Sequence, residues 1–222
     1  HDWLLGWRDI TNSTNERTVV VSLFPRAAVG NNLPVSLMGK FAGDGHILAA
    51  ALSSFVVDFV SRSKVGGTHL NFFIAQQLAV LPPNSYERTT PWSTRDTLRS
   101  WLSSRIVELV YVANDLKGIA ARLGCAGSPF RWDRERRFLL RCELDAAFFH
   151  IYGIGRDDLE YIMDTFPIVR SKDIATFGSY RTRDTILRVY DAMRKAIDTG
   201  EPYETVLDPP PADSLRHTPG RT

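Results

Sequence analysis

Cysteine is scarce: Cys125 and Cys142 are the two among 222 residues, so at most one disulfide can form. A chain of this length builds a core without one, which points to reduced thiols and a cytoplasmic setting. Neither cysteine sits in a Cys/His cluster with zinc spacing. Long hydrophobic runs are missing too. The richest, Ile47 to Val60, is broken by Ser53, Ser54 and Asp58, so no transmembrane helix and no membrane partner are expected. The first residues contain no Met and no signal-peptide layout, and the start at His1 reads as a piece cut from a longer chain. An excess of one charge is also lacking. Net charge is +2, and residues 1–90 hold 7 Lys/Arg against 6 Asp/Glu. Charge by itself therefore does not imply nucleic acid.

Catalytic signatures are equally sparse. Gly-x-Ser-x-Gly is absent, and the five histidines stand without motif neighbours. There is no Walker loop and no acidic nuclease core. Phe41-Ala42-Gly43-Asp44-Gly45 matches the Phe-x-Gly-x-Gly loop with which a methyltransferase approaches S-adenosylmethionine. Its preceding strand is poor, however, and the acidic residue expected about 20 residues on is replaced by Lys64-Val65-Gly66-Gly67. Asp208-Pro209-Pro210-Pro211 lacks the aromatic of a base-flipping loop. No catalytic, cofactor-binding or metal-binding residue is assigned.

Hydrophobic content of 44% with 23% charged residues describes a globular chain. The fold class expected is α+β: a mixed α/β part with short strands and one long helix over residues 1–83, then a mainly α-helical part over 84–200 and an extended tail over 201–222. Thr18 to Phe24 reads as a strand stopped by Pro25, and Leu33 to Leu37 as a second. From Asp44, apolar residues recur at helical spacing through Phe59, and a basic glycine loop ends the run at Ser61 to Gly67. Pro82 to Pro91 marks a shift in composition. Ser93 with Asp96 resembles a capping box that opens a helix burying Leu98, Trp101, Leu102, Ile106, Leu109 and Val110. Further helices are expected over about 133–152, 156–165 and from 182 onward.

Two polar stretches carry the side chains that read nucleic acid. Arg and Asn pair bidentately with guanine and adenine edges, and cations beside glycines approach phosphates. Arg8, Asn12, Arg17, Arg26, Asn31 and Asn32 come from the first stretch. Arg62, Lys64, His69 and Asn71 come from the second.

The order of these segments resembles the C-terminal region of DNA adenine-specific methyltransferases of restriction–modification and phage-defence systems. Trp7-Arg8-Asp9-Ile10-Thr11, the strand ending in Pro25-Arg26, Lys64-Val65-Gly66-Gly67-Thr68-His69-Leu70-Asn71 and Leu78-Ala79-Val80-Leu81-Pro82-Pro83 are similar to a target-recognition domain. Arg141 to Ala146, Ile151 to Ile154, Asp158 to Phe166 and Tyr180 to Leu187 are similar to the helical tail of such enzymes. The resemblance implies sequence-specific recognition of double-stranded DNA, with S-adenosylmethionine and the catalytic loop held by an upstream methyltransferase domain of the same chain. Two alternatives stand beside it: a protein–protein interaction module of a defence complex, and a self-contained S-adenosylmethionine-dependent transferase.

Overall fold

The computed structural model describes residues 3–37 and 43–219. It is α+β, with helices dominating the second half. Three short strands form an antiparallel sheet in the order β2-β1-β3: β1 is Trp3–Trp7, β2 is Val21–Pro25 and β3 is Val35–Ser36. β1 is central, with Trp3, Leu5 and Trp7 turned into the core. Gly6 permits the tight packing on its other side, because an added Cβ would meet the Phe24 ring at 2.9 Å and the Pro34 carbonyl at 3.0 Å.

The long helix expected after Asp44 is two helices, α1 (Gly45–Ser53) and α2 (Phe55–Lys64), bent by 71°. Ser54 makes the break. Its extended backbone leaves the helix, and its hydroxyl caps the Val57 amide of α2. The Phe55 amide donates to Asp145 Oδ1 at 2.8 Å, so a distant carboxylate completes the cap. Periodicity runs unbroken through this bend, which is why the sequence reads as one helix. A short helix α3 (Phe72–Ala75) follows.

Ser93 and Asp96 hydrogen-bond to each other at 3.1 Å but do not open a helix. They lie in β5 (Ser93–Thr97), which pairs with β4 (Thr89–Thr90) across the Pro91-Trp92 turn. The cap is Thr97, whose hydroxyl accepts the Ser100 amide at the start of α4 (Leu98–Val110). After α5 (Lys117–Arg122), α6 (Arg134–Ile151) begins where expected, on an Asp133 cap. Then come α7 (Arg156–Asp164), α8 (Pro167–Phe177) and α9 (Arg181–Thr199). Among the described residues no single helix is long and apolar enough to cross a membrane.

The composition boundary near Pro82 does not divide the core. One continuous cluster runs from Trp3 and Leu5 through Trp92, Trp101 and Phe148 to Ile186 and Met193. Residues 201–219 lack regular structure apart from one 3-10 turn (Ser214–Arg216) and are tied down. Leu207 is buried, the Thr218 amide donates to Pro129, and the His217 ring stacks on Phe130 at 4.2 Å. Both cysteines are free thiols.

Candidate nucleic-acid interface

The chain leaving β1 and the chain leaving α2 meet. Ile10 and His69 form an antiparallel bridge, the Leu70 amide donates to the Asp9 carbonyl at 2.7 Å, and the Thr11 amide donates to Thr68 at 2.9 Å. His69 Nδ1 lies 2.6 Å from Asp9 Oδ2. On the other flank the Asp9 amide donates to the Asn32 carbonyl at 3.0 Å. Three loops separated by up to 60 residues thus form one edge.

An inner layer of hydrogen bonds braces the edge. Trp7 Nε1 donates to the Leu70 carbonyl at 2.7 Å. Thr11, buried, donates its hydroxyl to Thr18 O at 2.8 Å. Asn12 Oδ1 accepts both the amide and the hydroxyl of Thr14, which makes Asn12 a turn builder at this site. Asn71 accepts the Ile74 amide and caps α3.

The ten nominated residues divide by environment. Arg8, Asn31, Asn32 and Lys64 are exposed, and among the described residues their side chains make no hydrogen bond or ion pair. His69 and Asn71 are exposed on the same edge, each with one ring or amide atom committed. Arg26 is exposed too, but it follows Pro25, which pairs with Trp3 at the far end of β1. It stands apart from the edge around Asp9.

Arg17 and Arg62 are partly buried, and their guanidiniums are committed within the fold. Arg17 Nε donates to Asp58 Oδ2 at 3.2 Å, its guanidinium also reaches the Ser53 carbonyl, and its plane lies 4.0 Å over the Phe55 ring. Arg62 donates to Thr165 O at 2.7 Å and to Asn15 O at 2.9 Å, and stacks 3.9 Å over Phe166. Burial holds the Arg62 pKa below its ordinary value, against the pull of Asp58. Both guanidiniums tie the first loop to the helices, so neither is free to reach a duplex.

The residue-by-residue reading missed the apolar members of this edge. Ile10, Phe72 and Phe73 are exposed by 51%, 51% and 74%. Phe72 packs edge-on against Trp7 at 5.1 Å. The Phe72-Phe73 pair is visible in the sequence, but nothing in its spacing separates an exposed pair from a core pair. A cleft lined by Trp7, Leu37, Leu70, Phe72 and Val80 adjoins them. Among the described residues no cluster of His, Cys, Asp and Glu could hold a metal ion. Comparison with protein-family models, curated proteins and solved structures gives no significant match to this chain.

Proposed function

We propose that this chain recognises a specific double-stranded DNA sequence as the C-terminal part of an adenine-specific DNA methyltransferase of a cytoplasmic restriction–modification or phage-defence system. The observation that carries the reading is the Ile10–His69 bridge, which joins the two polar stretches nominated separately from sequence. A protein that must flip a base for chemistry needs a second surface to choose the sequence, and that surface is best built from loops pinned to a rigid scaffold. Arg8, Asn31, Asn32, Lys64, His69 and Asn71 supply guanidinium, amide, ammonium and imidazole groups along such an edge. Exposed Phe72 and Phe73 add apolar area for thymine methyls and sugars. The catalytic loop and S-adenosylmethionine belong to the upstream domain in this reading.

The test is selection from a randomised duplex pool, followed by fluorescence anisotropy on the recovered sequences. Enrichment of one short sequence, with affinity falling steeply between ~50 and ~200 mM salt, is the expected result. Equal retention of all sequences, or no retention at low salt, overturns the reading.

A further inference from the structure

We propose that the cleft between β2, α1, α4 and α6 is a binding site for a small amphipathic anion, an apolar body carrying one carboxylate, sulfonate or phosphate group. The cleft has a volume of about 470 Å³, within the range of small-molecule sites. It is independent of the DNA-reading edge.

α6 builds one wall. Arg137, Arg141, Leu144, Asp145 and Phe148 all line the cleft, and their spacing places them on one side of the helix. From Arg137 to Phe148 this stripe runs roughly 16 Å at 1.5 Å per residue. The facing wall is mostly apolar, with Val21 and Leu23 from β2, Ala49 and Ala50 from α1, and Ile106 and Leu109 from α4, and Ser22, His46, Ser53 and Ser54 complete it. The two alanines hold the space open, since larger side chains there would close it.

The charges sit at one end. Arg141 is exposed and, among the described residues, makes no hydrogen bond or ion pair. Arg137, one helical turn away, is half-buried, with one N–H on the Leu109 carbonyl at 2.7 Å and its guanidinium 3.8 Å over the Trp132 ring. Neither arginine has a carboxylate within ion-pair distance among the described residues. Burial and the neighbouring Arg141 charge both hold the Arg137 pKa below its ordinary value. Asp145 and Glu108 act on these two arginines only from beyond ion-pair distance, so both guanidinium forks at the mouth of the cleft can take an anionic head group. Asp145 lies one turn deeper and commits Oδ1 to the Phe55 amide. Its carboxylate repels a second negative charge, so the head group stays at the mouth and the apolar body goes inward.

The probe is 8-anilinonaphthalene-1-sulfonate, titrated by fluorescence into the 222-residue chain and competed with octanoate, octyltrimethylammonium and inorganic phosphate. Saturable one-site binding is expected, displaced by octanoate and not by the other two. Arg141→Gln, at a side chain with no contact the fold needs, should raise the dissociation constant about 10-fold, or ~1.4 kcal/mol. Ala50→Phe should abolish binding while the circular dichroism spectrum and DNA affinity stay unchanged. Equal competition by octyltrimethylammonium or by phosphate alone overturns the proposal. So does full affinity in Arg141→Gln, which decides the matter even if Ala50→Phe does not fold.

Discussion

Arg17 Nε and Asp58 Oδ2 are 3.2 Å apart across 41 residues of sequence, and the Asp58 carboxylate is fully buried. Asp58 also accepts the Thr18 amide at 3.2 Å and the Val19 amide at 2.6 Å, while Arg62 Nε stands 3.8 Å away. One side chain of α2 thereby terminates the backbone that enters β2. Removing it strands two amides and two cations together. Asp58→Ala should cost about 3–5 kcal/mol, read as a shift of the urea midpoint. Arg17→Ala should also lower stability, without changing the salt dependence of DNA binding.

This pair shows why the loops were legible and their members were not. Arg17 and Arg62 look like their neighbours Arg8 and Lys64 in sequence; only the fold reveals an acid beneath them. Asp133 was readable as a helix start because its carboxylate caps the Arg136 amide, three residues on. The Ser54 bend was not, because its second capping group is Asp145, 90 residues away. Local signals also misled. Ser93 and Asp96 have capping-box spacing, yet both lie in β5, where Ser93 pairs with Thr90 across the hairpin. For α8 the signals were present but unread: Pro167 at the first turn and Gly178 in the left-handed conformation at the end.

Glu143 anchors the C-terminal segment from inside the core. Its Oε2 accepts Arg105 Nε at 2.7 Å. Its Oε1 accepts the Tyr203 hydroxyl at 2.8 Å, the Thr205 hydroxyl at 2.6 Å and the Val206 amide at 3.0 Å. Burial and the adjacent carboxylate keep the Tyr203 phenol protonated well above its usual range. Glu143→Ala leaves Arg105 buried without its acid and releases the tail. Limited proteolysis should then cut within residues 201–210 under conditions that leave the parent chain intact there. Equal protection of that segment in the variant would show that Leu207 and the Phe130–His217 stack suffice to hold it.

Two buried groups lining one cleft, His46 at the start of α1 and Asp145 beside the α1–α2 bend, should give opposite pH slopes. Burial pulls the His46 pKa down to about 4, and its Nε2 lies 2.8 Å from Ser103 Oγ. Its contribution to stability is complete above the unfolded value of about 6.5 and is lost as pH falls toward 4. Burial pushes Asp145 up to about 6. Its contribution is complete below about 4 and is lost as pH rises through 6. Between pH 4 and 6 the two slopes oppose each other. Asp145→Asn keeps an acceptor for the Phe55 amide but removes one slope, so this variant should lose up to about 1.4 kcal/mol per pH unit on acidification. His46→Gln should instead gain stability over the same interval. Urea midpoints at several pH values would separate the two.

Along the edge proposed to face DNA, phosphate contacts and base contacts make different demands on the measurement. Lys64 stands exposed at the end of α2, beside the Gly66-Gly67 turn that leads into the His69 bridge. An ammonium at that position serves any phosphate equally. Lys64→Ala should weaken binding to every duplex alike and flatten the plot of log affinity against log salt by about one unit. Asn32 is different: its carbonyl is held by the Asp9 amide, which aims the side chain from a fixed backbone. If Asn32 reads a base, Asn32→Ala should cost about 1–3 kcal/mol on the selected sequence and little on a variant changed at that one position. The same loss on all sequences would reassign Asn32 to the phosphate backbone. No loss in either variant, with Arg8→Ala, Asn31→Ala, His69→Ala and Asn71→Ala equally silent, would remove this edge from the duplex, since these are the nominated side chains exposed along it.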